Sequence, residues 1–74
     1  MTYKDFLVEK GFIYSEKNDE WRKPLGFGMN MSCVRLLGTL FEIKKGKKVL
    51  FSHFIDNLEH FKQVINKSID YGSA

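Results

Sequence analysis

The chain has 74 residues, 43% of them hydrophobic and 15% aromatic, with 12 Lys and Arg against 9 Asp and Glu for a formal charge of +3. That length holds one domain over residues 1–74, which buries only about 60% of the surface of its unfolded chain, so seven Phe, three Tyr and one Trp must supply most of the core. A single cysteine, Cys33, excludes an internal disulfide, no Cys and His spacing suits zinc, and no run of about 18 apolar residues is available to span a membrane.

The N-terminal residues are polar and acidic through Glu9, unlike a signal peptide. A soluble, cytoplasmic protein is the expectation, without metal, small-molecule cofactor or membrane partner. Charge is uneven along the chain. Residues 1–20 carry three Lys against five acids, residues 21–54 carry seven Lys or Arg against Glu42 alone, and residues 55–74 balance at −1. The basic middle bears on partners rather than on fold.

Thr2 followed by Asp5 has the spacing of a capping box, so a short helix starts there, with Tyr3, Phe6 and Leu7 as its packing face. Gly11 is placed to end it in the left-handed conformation and to fold Phe12 back onto Leu7. Residues 12–15 then read as a strand. The turn formers Glu16, Lys17, Asn18 and Asp19 reverse the chain into a second short strand over 21–23, which Pro24 stops. Gly26, Phe27 and Gly28 suit a bulge or loop, and they match no phosphate-binding fingerprint because no helix follows them.

From Phe27, alternation with Met29, Met31 and Cys33 begins a long third strand, which slips near 34–37, with Gly38 as a bend or bulge, and continues through Phe41 and Ile43. A tip at 44–48 turns it into a fourth strand bearing Val49, Phe51, His53 and Ile55. A three-residue loop around Gly46 brings Phe41 and Ile43 onto one face with Val49 and Phe51, whereas a two-residue loop opposes them to Lys48 and Leu50; the three-residue loop is therefore expected. Asp56 is the expected N-cap of a closing helix with Glu59 three residues on, an apolar stripe of Leu58, Phe61, Val64, Ile65, Ser68 and Ile69, and an end at Gly72. The order is α-β-β-β-β-α: an α+β fold with an antiparallel sheet and both helices packed on one face. That order is shared by double-stranded-RNA-binding domains and small toxin ribonucleases. It is an analogy of order alone, since the chain lacks the Gly-Ser-His strand motif of such ribonucleases and a lysine cluster opening the last helix.

Two constellations are candidates for binding. Lys44, Lys45, Lys47 and Lys48 put four ammonium groups on one tip, where they could neutralise phosphates with Arg22 and Lys23 extending the surface; a solvated tip that blunts strand pairing explains the same residues. Tyr14 and Trp21 face each other across the first hairpin, as an exposed platform for bases or for a partner's hot spot, or simply as core. His53 and His60 lack a neighbouring nucleophile or paired carboxylate, so no catalytic assignment follows, and Cys33 reads as a small buried hydrophobe. The leading expectation is a non-enzymatic interaction module that binds a protein partner, or itself as a homodimer, through an open sheet edge. The alternative is nucleic-acid binding through the tip at 44–48.

Overall fold

The computed structural model describes residues 1–73. Helix α1 (Tyr3–Glu9) is closed at both ends by local chemistry. At its start the Asp5 N–H donates to Thr2 Oγ1 at 3.2 Å, and the Thr2 N–H donates to Asp5 Oδ2 at 3.0 Å. The bond that the Thr2 backbone N–H donates to the ionised carboxyl, foremost, and the Thr2 hydroxyl beside it hold Asp5 below its ordinary pKa. At its end Gly11, with φ of +92°, lets its own N–H bond the Val8 carbonyl and the Phe12 N–H bond the Leu7 carbonyl, the paired bonds of a Schellman motif.

Five strands follow, β1 (Ile13–Ser15), β2 (Glu20–Gly26), β3 (Met29–Leu37), β4 (Leu40–Lys45) and β5 (Lys48–Phe54), before α2 (Leu58–Ser73) closes the chain. They form one antiparallel meander in the order β1-β2-β3-β4-β5. The α+β class, the antiparallel sheet and the flanking helices are as the sequence indicates, but the sheet has five strands rather than four. The expected long third strand is two. Gly38, with φ of +55°, supports a two-residue turn with Thr39 between the paired Leu37 and Leu40, and a bulge at Leu36 precedes it. The alternation of Leu37 with Thr39 and Phe41 spans that turn and is coincidental.

The β4–β5 turn holds two residues, Gly46 and Lys47, between the paired Lys45 and Lys48. That is the loop length the sequence disfavours, because it puts Leu50 opposite Ile43. A bulge at Leu50 resolves the conflict: beyond it Ile43 pairs with Phe51 and Phe41 with His53. Val49 is left on the other face with Lys44. Pro24 does not end β2 either. β1 pairs only with Glu20 to Arg22, so from Lys23 onward β2 has a neighbour on one side alone, and a residue without an N–H is tolerated there.

One row of paired residues, Tyr14, Trp21, Cys33, Ile43 and Phe51, crosses the whole sheet on the helix side. Phe6 and Leu7 of α1 and Phe61, Val64 and Ile65 of α2 close over that face, forming one core with Met31, Cys33, Phe41 and Ile43. Phe61 is its hub, with ring centroids 5.1 Å from Phe41, 5.7 Å from Tyr3 and 6.2 Å from Phe6. Helix α2 is capped by Asn57 rather than Asp56: the His60 N–H donates to Asn57 Oδ1 at 2.8 Å, while His60 Nδ1 accepts the Asp56 N–H at 3.1 Å. Gly72 does not end α2. It sits inside the last turn, where an added Cβ would lie 2.6 Å from Met31 Cε, so its bareness seats the helix on the sheet.

Candidate functional site

Among the described residues no helix covers the opposite face of the sheet, whose central row runs Ile13, Arg22, Ser32, Lys44 and Val49. Its charges are answered within the fold. Arg22 Nε bonds the Glu20 carboxylate, and Lys44 Nζ lies 3.3 Å from Glu42 Oε1. Lys23 points to the helix side, where its Nζ donates to the Lys10 carbonyl at 2.6 Å, a cation on the C-terminal end of α1. The six basic residues of the expected nucleic-acid surface therefore divide. Arg22 and Lys44 lie on the open face, Lys23 is engaged in the fold, Lys45 and Lys48 pair on the helix side, and Lys47 occupies the turn between them.

Tyr14 and Trp21 do pair across β1 and β2, with ring centroids 5.3 Å apart. Trp21 packs against the core, and Tyr14, 44% exposed, donates its hydroxyl to Asp19 Oδ1 at 2.6 Å. That bond and the carboxylate's charge raise the Tyr14 pKa by holding the proton. The pair braces the turn that joins its own strands. Cys33 is buried beneath the helices, and burial pushes its thiol up to about 12. His53 is exposed on β5 with its ring 6.0 Å from Phe51, and His60 is engaged at the start of α2.

One concavity was not anticipated from the sequence. A groove of about 600 Å³ runs between β5 and the flank of α2. Leu50 and Phe51 on the strand and Val64 on the helix supply its apolar floor, while His60, Gln63, Lys67, Ser68 and Tyr71 recur along α2 at helical spacing as its far wall. Lys48 stands at its mouth, 3.0 Å from the Tyr71 hydroxyl and 5.2 Å from the ring centroid, and this cation lowers the Tyr71 pKa by favouring the phenolate. Lys48 and Lys67 make the rim basic, and among the described residues no acid lines the groove.

β5 is also an edge. The Ile55 N–H bonds the Thr39 carbonyl at 2.8 Å, and because backbone groups alternate along a strand, Phe51, His53 and Ile55 turn theirs toward β4 while Ser52 and Phe54 turn theirs away. Those outward groups have no strand beside them among the described residues. The sequence did hold a signal for this, since the last strand of a meander is an edge unless the sheet closes. It held none for the groove, which depends on how far α2 stands from β5.

At the end of the sheet beside the mouth of the groove, β2 ends on Gly26, and Phe27 and Gly28 turn the chain into β3, the three having φ of +92°, +54° and +74°. A left-handed conformation at a residue with a Cβ costs about 1–2 kcal/mol, and the Phe27 ring is 106% exposed, so no burial offsets that cost. Among the described residues no group of three or more His, Cys, Asp or Glu is placed to hold a metal ion, and no helix is long and apolar enough to cross a membrane. The chain matches no known protein-family model, no curated protein and no solved structure.

Proposed function

We propose that the protein is a non-enzymatic interaction module that captures an extended segment of a partner protein along β5. The observation that carries this reading is the coincidence of an unpaired strand edge with a groove beside it, floored by Leu50, Phe51 and Val64. An added strand would bond the outward backbone groups of Ser52 and Phe54. Every second side chain would drop into the groove, so backbone bonds supply affinity and the groove supplies selectivity. The basic rim of Lys48 and Lys67 calls for acidic residues in the guest. β5 itself has no acid, so a second copy of β5 answers that charge poorly, and a foreign acidic strand is the better occupant.

A displayed library of short peptides tests this directly. Enrichment of apolar and acidic alternation, lost with Ser52→Pro, is the expected result; capture undiminished by Ser52→Pro refutes strand addition. Light scattering gives a second reading. A dimer that Ser52→Pro converts to a monomer would identify the occupant of the edge as another copy of the chain. Nucleic-acid binding through 44–48 is the weaker reading, because Lys44 is paired with Glu42, Arg22 with Glu20, and Lys23 is engaged at the end of α1.

A further inference from the structure

Phe27 contradicts the logic of the rest of the chain. The other large aromatics of the sheet and helices pack against the core or a neighbouring ring, lie along the face of a strand or, in the case of Tyr71, meet a lysine. Phe27 is fully exposed at the apex of a turn whose backbone would suit glycine better. Its left-handed backbone closes the two-residue β2–β3 hairpin, a task glycine would do with less strain, while its ring is buried against nothing in the fold, which makes it a side chain held for something outside the chain.

Its surroundings indicate what that is. The β2–β3 and β4–β5 turns lie side by side at one end of the sheet, tied together where the Gly46 N–H donates to the Asn30 carbonyl at 2.9 Å. Between them and the end of α2 lies a shallow hollow lined by Met29, Lys45, Lys48 and Tyr71, with Met29 39% exposed and Lys47 exposed on the turn above. One end of the molecule thus joins a protruding apolar ring to three lysines, a hydroxyl and a thioether.

We infer that this end docks on an anionic membrane surface, Phe27 entering the interface while Lys45, Lys47 and Lys48 meet lipid phosphates. A bilayer suits the arrangement because it is flat enough to touch both turns at once, negative at its surface and apolar a few ångströms below. Shallow entry leaves the backbone of Gly26 and Gly28 at headgroup level, where water satisfies it. Single-stranded nucleic acid offers negative charge too, but a base stacks best on an aromatic backed by a sheet face. The Phe27 ring has nothing behind it. A peripheral contact of this kind requires no spanning helix.

Co-sedimentation with vesicles tests it, comparing phosphatidylcholine alone with phosphatidylcholine containing phosphatidylserine. Binding is expected only to the anionic vesicles, weakening as salt rises, and Phe27→Gly should reduce it about tenfold or more. The same substitution removes the left-handed strain, so its melting temperature should be unchanged or higher, a combination that a structural role for Phe27 would not produce. The double variant Lys45→Ala, Lys47→Ala should bind more weakly without loss of fold. Failure to bind anionic vesicles at low salt, or binding by Phe27→Gly equal to that of the native chain, overturns the proposal. Tight binding of a single-stranded oligonucleotide that depends on Phe27, without vesicle binding, also overturns it and gives this end to nucleic acid. Ser52→Pro serves as the control, since it leaves this end intact and separates this result from the strand-capture reading.

Discussion

The two edges of the sheet are built on opposite principles. β1 has three residues, follows directly from the Schellman turn of α1, and ends in the charged turn 16–19, where the Tyr14 hydroxyl is bonded to Asp19. It offers a guest strand almost no length. β5 has seven residues, a groove along its helix side and a basic rim. Short, charged edges protect a sheet from pairing with other chains, and a long edge left open is a liability unless pairing is its purpose. The contrast teaches that this domain guards one side and leaves the other open.

The largest way to break that contrast is to remove the wall of the groove. Phe61→Ala empties the hub where α2 meets Tyr3, Phe6 and Phe41, and should destabilise the domain by about 3–5 kcal/mol in chemical denaturation. In a chain of this size that is a large share of the total stability, so both edges would be lost together. Ser52→Pro strikes β5 alone. It should reduce peptide capture more than tenfold while far-UV circular dichroism stays native, whereas a proline at Tyr14 should leave capture intact. Lys67→Glu, read by the same assay, should weaken an acidic peptide by about tenfold and shift the selected peptides toward basic ones.

On the guarded side, Lys23→Met removes the cation from the end of α1, strands the Lys10 carbonyl, and should cost about 1–2 kcal/mol without affecting capture at β5. The smallest expected effect concerns acid. The folded Asp5 pKa is depressed, so its contribution to stability is present above the unfolded carboxyl pKa and fades as pH falls through the folded one. Asp5→Asn should therefore lower stability slightly at neutral pH, where that contribution is present, and converge with the native chain in acid, flattening the acid limb of a stability profile. Cys33 in the central strand reports on either edge: with its thiol pushed up to about 12 and buried, alkylation near pH 8 should proceed only as fast as the domain opens.

The parts legible in the sequence share a property. The Thr2 and Asp5 capping box and the Gly11 end of α1 involve partners within five residues, and the stripe Phe61, Val64, Ile65 and Ser68 has a period fixed by the helix itself. The pairing of Tyr14 with Trp21 follows from a short turn. Features that escaped depend on a second element. The alternation through Leu37 and Phe41 looks continuous whether or not Gly38 turns the chain. Lys23 reads as a free cation until α1 presents the Lys10 carbonyl to it, and Gly72 reads as a helix stop until Met31 fills the space where its side chain would be.

The candidate site divides in the same way. Residues 44–48 were legible as a solvated tip, but Leu50 and Gln63 carried no mark of a groove, because a groove is a distance between elements and no single segment encodes it. Phe27 between two glycines was legible as an irregularity, though not as an exposed ring.

By itself the sequence determined both ends of α1, the antiparallel meander and the α+β class, because caps, turns and apolar periods act over a few residues and need no distant partner. Tertiary structure alone decided the phase of β5, where the Leu50 bulge reconciles a two-residue turn with a shared apolar face. It also decided which charges were consumed by the fold and how far α2 stands from β5, since both are settled only when helices and strands compete for the same surface.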